Sequence, residues 1–189
     1  AHVSGQMTQL EDALMEIVGE CFCSALLPPC PEPVASNCVP LAVVTLSRND
    51  GISNWPTIVS LAESPKTPGV YFTGTDDGVV AMTKDGGKTW DRITDRLQGF
   101  PKWGYVSEVV PSKFDGNTVY VTVDAHREGD FKTYIWASND MGATFRSLNA
   151  NLRDEVVRTL LEDIKNPDVL YLGTETGIFV TTDRGKAWK

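Results

Sequence analysis

Three short stretches of the chain place a hydroxyl residue, an aspartate, a glycine and an aromatic residue at closely matching spacing. They read TKDGGKTW (83–90), SNDMGATF (138–145) and TTDRGKAW (181–188). The shared positions are Thr83, Asp85, Gly87, Thr89 and Trp90, then Ser138, Asp140, Gly142, Thr144 and Phe145, and finally Thr181, Asp183, Gly185 and Trp188. A carboxylate beside hydroxyl groups could transfer protons in catalysis, ligate a metal ion or close a turn. We call each stretch a box.

The residue types of the box favour a turn over the two reactive alternatives. Asp85 can accept N–H bonds from its own turn, and Gly87 allows a positive φ that a Cβ would oppose. Thr89 favours the strand that follows, and Trp90 brings a large apolar side chain to a seam between sheets. Calcium is the alternative, but a box offers one or two carboxylates where the ion takes roughly six to eight oxygens. The boxes are therefore predicted to be structural hairpins.

The cysteines form a second group that could do chemistry. All four, Cys21, Cys23, Cys30 and Cys38, lie in the N-terminal segment, with the spacing C-x-C-x6-C-x7-C. Structural zinc usually takes paired cysteines about two to four residues apart, so this spacing fits zinc poorly. Disulfides and buried free thiols are the alternatives. We predict no metal site and no cofactor, with these cysteines as the remaining metal candidates.

Recognisable catalytic patterns are missing from the sequence. GxSxG, HExxH and P-loop motifs do not occur, and only His2 and His126 could support histidine chemistry. We predict no catalytic residue.

Composition limits the remaining function classes. The chain has 189 residues, 41% of them hydrophobic, which is enough for one substantial core. Its net charge of −8 argues against a nucleic-acid partner, because such partners are bound mainly by Lys and Arg. No apolar run approaches the roughly 20 residues of a membrane span, and the N-terminus lacks the pattern of a signal peptide.

Residues 1–46 differ in character from the rest. Thr8 and Glu11 fit a capping box, and Leu10, Leu14 and Ile17 recur at helical spacing. The proline-rich stretch that follows must end this helix. We predict an N-terminal helical, Cys/Pro-rich unit over 1–46 and a second unit over 47–189.

The second unit repeats itself around the boxes. The first copy supplies the strands TIVSLAES, GVYFTGT, GVVAMTK and TWDRIT, the second YVSEVVPS, TVYVTVD, TYIWASN and TFRSLN, and the third VVRTLLED, VLYLGTE, GIFVTTD and a partial AWK. The stretch EVVRTLLEDI has helical propensity, but its place in the repeat favours a strand. The sequence therefore predicts an all-β fold of about three four-stranded β-propeller blades, an incomplete propeller, after the short helical segment.

The boxes carry a resemblance to known families. They match the Asp-box of bacterial neuraminidase repeats, and residues 47–189 resemble the propellers of sortilin-type and "glycosyl hydrolase BNR repeat" proteins of bacteria. The resemblance implies that the boxes lie away from the ligand and are structural, and that the propeller is secreted or periplasmic. The stretch CFCSALLPPCPEPVASNCVPLA, within 7–46, resembles an N-terminal segment of proteins linked to contractile, phage-tail-like injection systems.

The face opposite the boxes is the predicted ligand face. Loops between second and third strands should meet the connections between blades there. The candidate residues are Asp76, Asp77, Phe100, Trp103, Asp124, His126, Asp130 and Glu175. Acidic loops beside exposed aromatic rings can bind carbohydrate or a basic peptide. The alternative is that these are solvated turns and that Trp103 belongs to the core.

Three functions remain open from the sequence. The first is a non-catalytic propeller that binds or scaffolds a protein. The second is a fragment of a sialidase-like glycoside hydrolase, although the chain has no F/Y-R-I-P motif and its catalytic residues would have to lie elsewhere. The third is a structural part of an injection particle.

The incomplete propeller also predicts partners. Three blades do not close a ring, because propellers use about four to eight. Further blades or a protein partner are expected, and open sheet edges favour self-association.

Overall fold

The computed structural model describes residues 57–189. The predicted N-terminal helix, the four cysteines and the predicted boundary near residue 46 lie outside the described residues. In the described part the regular secondary structure is almost entirely β-strand.

Eleven strands over 57–189 form three antiparallel sheets. The first sheet contains β1 (Ile58–Glu63), β2 (Tyr71–Thr75), β3 (Val80–Thr83) and β4 (Asp91–Arg92), and the second contains β5 (Tyr105–Pro111), β6 (Val119–Asp124), β7 (Tyr134–Ser138) and β8 (Arg146–Ser147). The third contains β9 (Val157–Glu162), β10 (Leu170–Thr174) and β11 (Ile178–Thr181). Single 3-10 turns follow β4 and β6, at Thr94–Arg96 and His126–Glu128.

Each sheet is a meander in which neighbours along the chain are neighbours in the sheet. The predicted all-β fold with about three blades is confirmed, and the stretch EVVRTLLEDI contains a strand, β9. The third sheet also begins a fourth strand, because Val180 and Lys189 exchange two backbone hydrogen bonds of 2.9 and 3.0 Å. The equivalent residues of the first sheet, Met82 on β3 and Asp91 on β4, are also paired with each other. The predicted fourth strands are shorter than expected, only two residues each in β4 and β8.

The core lies between successive sheets. One buried cluster joins side chains of the first and second sheets, including Phe72, Met82 and Val121. A second cluster joins the second and third sheets and includes Ile135 and Leu172. The second strands of the first two sheets, β2 and β6, are buried along most of their length because they are covered on both faces. In the third sheet, β10 is only partly buried. Consecutive sheets therefore pack face to face, as propeller blades do.

Close approach of the first two sheets depends on Gly74 in β2. A Cβ at this position would lie 2.3 Å from Cγ1 of Val106 on β5. Real side-chain atoms do not approach so closely, so any larger residue would push the sheets apart.

Candidate ligand-binding face

The three boxes form the hairpins that follow the third strands. In the first box, the Thr83 hydroxyl donates to Asp85 Oδ1 at 2.8 Å and accepts the N–H of Gly87 at 3.0 Å. Asp85 accepts the Thr89 N–H at 2.9 Å on Oδ1 and the Thr89 hydroxyl at 2.6 Å on Oδ2. The turn is thus closed by its own side chains.

The second and third boxes repeat these contacts with one difference. Asp140 accepts the N–H and the hydroxyl of Thr144, as Asp85 does from Thr89. Asp183 accepts the N–H of Ala187 at 3.0 Å, but alanine has no hydroxyl to add.

The box aspartates are held as carboxylates. Hydrogen bonds lower the pKa of Asp85 to about 2, the largest from the Thr89 hydroxyl. The Thr144 and Ser138 hydroxyls lower the pKa of Asp140 to about 2, and the Thr181 hydroxyl lowers the pKa of Asp183. A carboxyl group so strongly ionised is a poor general acid at neutral pH. The geometry favours the turn over acid catalysis.

Each box requires a positive φ at two successive residues, of which only the box glycine was predicted. The residue before the box glycine also has a positive φ, 76° at Gly86, 54° at Met141 and 60° at Arg184. Glycine suits this region, but methionine and arginine tolerate it poorly, so residue type signals the requirement in only one of the three boxes.

The box aromatics pack toward the preceding sheet where one is described. Trp188 is buried in the cluster between the second and third sheets, and its indole N–H donates to the Leu148 carbonyl at 2.8 Å. Phe145 packs against the cluster between the first and second sheets. The Trp90 indole N–H is buried without a hydrogen-bond acceptor.

The opposite ends of the sheets carry the predicted ligand face. Asp76, Asp124 and Glu175 occupy the same position, at or just after the end of the second strand. Asp76 N–H donates to Thr57 O, Asp124 pairs with Tyr105, and Glu175 N–H donates to Val156 O. Each sheet therefore presents an acid at this strand position.

Arg158 joins two of these acids. Asp124, almost fully buried, accepts the His126 backbone N–H at 2.9 Å and lies 2.6 Å from His126 Nδ1. The Arg158 guanidinium contacts both the Asp124 and the Glu175 carboxylates. Two predicted residues, Asp124 and Glu175, thus contact Arg158, and a third, His126, contacts Asp124. Arg158 itself is not among the residues predicted for this face. Arg158 lies on β9, the first strand of the third sheet.

The acids of the first sheet are also bonded within the chain. Asp76 Oδ1 accepts the Thr57 N–H at 2.7 Å, and burial raises the pKa of Asp76. Asp77 Oδ1 accepts the Thr75 hydroxyl at 2.5 Å.

Asp130 is engaged separately, in the loop before β7. It accepts the Tyr134 hydroxyl at 2.7 Å. Burial acts to raise the pKa of Asp130, but the bonds from Tyr134 and Lys132 outweigh it and leave the pKa lowered. Burial, together with Asp130, raises the pKa of Tyr134 to about 12.

A groove of about 550 Å³ opens between the β2–β3 turn and the connection from β4 to β5. Its lining includes Asp77, Arg92, Asp95, Gln98, Phe100 and Trp103. It brings together three of the predicted residues, Asp77, Phe100 and Trp103. The groove combines apolar rings with charged groups of both signs.

Trp103 is the most unusual residue of the groove. Its side chain is exposed, with 38% of the residue accessible, and its φ is 64°. The alternative that placed Trp103 in the core is therefore wrong. Lys102 Nζ lies 5.6 Å from the centroid of its ring. A bulky residue held in the left-handed region is strained, and such strain is concentrated at functional positions.

Phe100 forms the rigid wall of the groove. Its ring stacks on Trp136 at a centroid distance of 5.8 Å, and Trp136 stacks on Tyr134 at 5.7 Å. The Trp136 indole N–H donates to the Gln98 carbonyl at 3.1 Å, which ties the groove to the second sheet.

Two further searches cover residues 57–189. No group of three or more His, Cys, Asp or Glu residues in this range could hold a metal ion. No helix in the same range is long and apolar enough to cross a membrane.

Comparison with known proteins identifies the fold. No family model matches the chain, and no curated protein matches it. Among solved structures, it is similar to an ancestral GH74 enzyme, with a TM-score of 0.56 and 15% identity over 69% of this chain and 18% of that one.

A second similarity is to YCF48. The structure of YCF48 from Cyanidioschyzon merolae matches with a TM-score of 0.51 and 21% identity, over 71% of this chain and 36% of that one. YCF48 bound to D1 peptide matches with a TM-score of 0.51 and 20% identity, over 71% of this chain and 40% of that one. These neighbours are β-propellers, and the likeness shows a propeller fold. The chain spans less than half the length of each.

Proposed function

We propose that residues 57–189 form a non-catalytic β-propeller module that binds a segment of another protein in the groove beside Trp103. The observation that carries this proposal is the exposed indole of Trp103, strained in the left-handed region, in a groove that Asp77 and Asp95 also line. Tryptophan is among the residues that contribute most to protein interfaces. In this proposal the boxes are structural, and they form the hairpins at the ends of the sheets opposite the groove.

The rigid surroundings of the groove favour recognition of a peptide. Phe100 is fixed by stacking on Trp136, so one wall needs little ordering when a ligand binds. The aromatic rings suit the apolar part of a side chain, and Asp77 and Asp95 suit a cationic group at its end. Arg92 and Lys102 of the same lining suit an acidic neighbour in the peptide. A peptide with an exposed lysine or arginine therefore fits this groove. The similarity to YCF48 bound to D1 peptide adds support at the level of the fold alone.

Hydrolysis of a glycoside is the competing function. Two-carboxylate hydrolysis needs one group to donate a proton and a second to act as base or nucleophile. On this face, Asp124 and Glu175 contact Arg158, Asp130 accepts from Tyr134, and Asp76 accepts from Thr57. These bonds favour binding over hydrolysis. The injection-particle hypothesis depends on residues 7–46, outside the described residues.

The test is a screen of random peptides on the immobilised full chain, followed by titration of the selected peptides. Trp103→Ala should weaken their binding at least tenfold, since a central aromatic residue typically contributes more than about 1.4 kcal/mol. Phe131→Ala is the matched control, because Phe131 is an exposed aromatic outside the groove. Binding of neutral oligosaccharides in place of peptides, or turnover of fluorogenic glycosides, would overturn the proposal.

A further inference from the structure

Tyr105 follows the groove residue Trp103 by two positions and is held by the second sheet. It is the first residue of β5 and pairs with Asp124 of β6. Gly104, between the two aromatic residues, packs directly on β6, since a Cβ at this position would lie 2.5 Å from Cγ1 of Val123. The backbone that joins the groove to Tyr105 is therefore fixed in place.

Arg127 stacks on the ring of Tyr105. The carbon at the centre of its guanidinium lies 5.3 Å from the ring centroid, within the roughly 6 Å over which an aromatic face attracts a cation. Arg127 is exposed, and within residues 57–189 its guanidinium forms no ion pair and donates no hydrogen bond. The ring thus holds the guanidinium while its N–H donors stay available to a ligand.

The turn that carries Arg127 is closed by hydrogen bonds of its own backbone. It is the 3-10 turn His126–Glu128, which follows β6. The His126 N–H donates to the carboxylate of Asp124 at 2.9 Å, and the Gly129 N–H donates to the His126 carbonyl at 2.9 Å. Arg127 therefore projects from a fixed backbone, so little further ordering is needed when a ligand contacts it.

Arg127 lies beside the groove on the candidate ligand face. Burial raises the pKa of Asp76, and the positive charge of Arg127 acts in the opposite direction, as expected of two groups close to each other. Asp76 immediately precedes Asp77, which lines the groove in the β2–β3 turn. Arg127 therefore neighbours two parts of the groove, this turn and the end of the connection from β4 to β5.

We propose that Arg127 binds a carboxylate of the peptide whose cationic side chain occupies the groove. This inference rests on the proposed function and adds a second charged position, of opposite sign, to the peptide. A guanidinium presents its donors in a planar fork that matches a carboxylate, and stacking on a ring leaves the fork free. Lys102, whose ammonium lies over the Trp103 ring, can attract a carboxylate only as a point charge.

The short separation of Trp103 and Tyr105 limits the spacing of the two charges in the peptide. Two residues of extended chain span at most about 7 Å, so the carboxylate should lie within about one to three residues of the cationic side chain. An aspartate or glutamate side chain and the C-terminal carboxylate of the peptide offer the same chemistry to Arg127.

The experiment titrates the full chain with peptides selected on it and with versions that lack one carboxylate. In one arm each acidic side chain is replaced by its amide, and in the other the peptide C-terminus is amidated. Loss of the carboxylate that Arg127 binds should weaken binding by about fivefold or more, as expected for a charge-assisted pair at a partly exposed site. The arm that loses affinity identifies the source of the carboxylate.

Substitution of Arg127 completes a double-mutant cycle. Arg127→Gln should weaken binding of the unmodified peptide by the same factor and should bind the version without the carboxylate as well as the wild type does. Arg127→Lys should fall between the two, because an ammonium keeps the charge and loses the fork. Arg146→Gln is the matched control, since Arg146 is an exposed arginine on β8, outside the groove lining.

The outcomes separate this inference from the proposed function. Peptides that depend on Trp103, but respond to Arg127→Gln equally with and without their carboxylates, would overturn the role of Arg127 and leave the groove in place. Selection of no peptide, or binding that is insensitive to Trp103→Ala, would overturn both. Circular dichroism and melting of each variant report that it is folded.

Discussion

The indole N–H of Trp188 donates to the backbone carbonyl of Leu148 at 2.8 Å, across the boundary between the second and third sheets. Trp90 stands at the same box position, and its indole N–H is buried without an acceptor. The same side chain thus donates a hydrogen bond in the third box and lacks an acceptor in the first.

Phenylalanine substitutions at the two positions should therefore differ. Trp188→Phe should lower the free energy of unfolding by about 1–2 kcal/mol, because it removes the hydrogen bond and leaves the Leu148 carbonyl buried. Trp90→Phe should cost less or even stabilise, since it removes a donor that has no partner. Urea unfolding followed by far-UV circular dichroism measures both. Equal losses at the two positions would contradict this account.

The third box lacks a hydroxyl that the other two contain. Thr89 and Thr144 donate to their box aspartates, and Ala187 holds the same position in the third box. Ala187→Thr should supply the missing bond and lower the pKa of Asp183 further, because the matching threonine hydroxyl is the largest cause of the lowered pKa at Asp85 and Asp140. NMR titration of the carboxyl group measures this pKa. Ala187→Val has a similar shape and no hydroxyl, so it should leave the pKa where it is.

Stability in acid should depend on the boxes. The pKa values of Asp85 and Asp140 fall from 3.8 to about 2 on folding, so the folded state favours their ionised forms. Their contribution is complete above about pH 4 and is lost as the pH falls through about 2. Asp85→Asn with Asp140→Asn should flatten the fall in melting temperature over this window. Asp95→Asn, outside the boxes, is the control, and an equal flattening by it would count against the boxes.

Arg158 should contribute more to stability than a surface arginine. Arg158→Gln leaves the carboxylate of Asp124 buried beside His126 and without the guanidinium, at an expected cost of about 2 kcal/mol. Arg184→Gln, which breaks an exposed pair with Asp168, should cost less than about 1 kcal/mol. Chemical unfolding of both variants gives the comparison. Similar costs would show that the Arg158 contacts are ordinary surface pairs.

Much of the fold follows from the repeat in the sequence. Alternation predicts the strands, and turn residues such as those of the boxes separate them, because both signals are local. Strand β9 was identified by its place in the repeat, although its Leu-rich sequence also fits a helix. The shortness of β4 and β8 was not foreseen, since nothing local shows where the chain leaves a sheet for the next one.

The candidate site was predicted only in part. The ends of the second strands placed Asp76, Asp124 and Glu175 on one face, because topology decides which loops share an end. Arg158 was missed because its role depends on two sheets meeting, which no local pattern records. The exposure of Trp103 was also open, since an aromatic residue in a long connection can be buried or exposed.

The conformation of Trp103 gives a prediction that separates backbone strain from packing. At its φ of 64°, alanine carries a Cβ that opposes the left-handed region and glycine does not. Trp103→Gly should therefore be more stable than Trp103→Ala by about 1 kcal/mol, although both lose the same indole contacts. At Lys102, whose φ is not positive, the order should reverse, because glycine gains more entropy on unfolding. Urea unfolding of the four variants tests this, and an alanine advantage at both positions would show that Trp103 is unstrained.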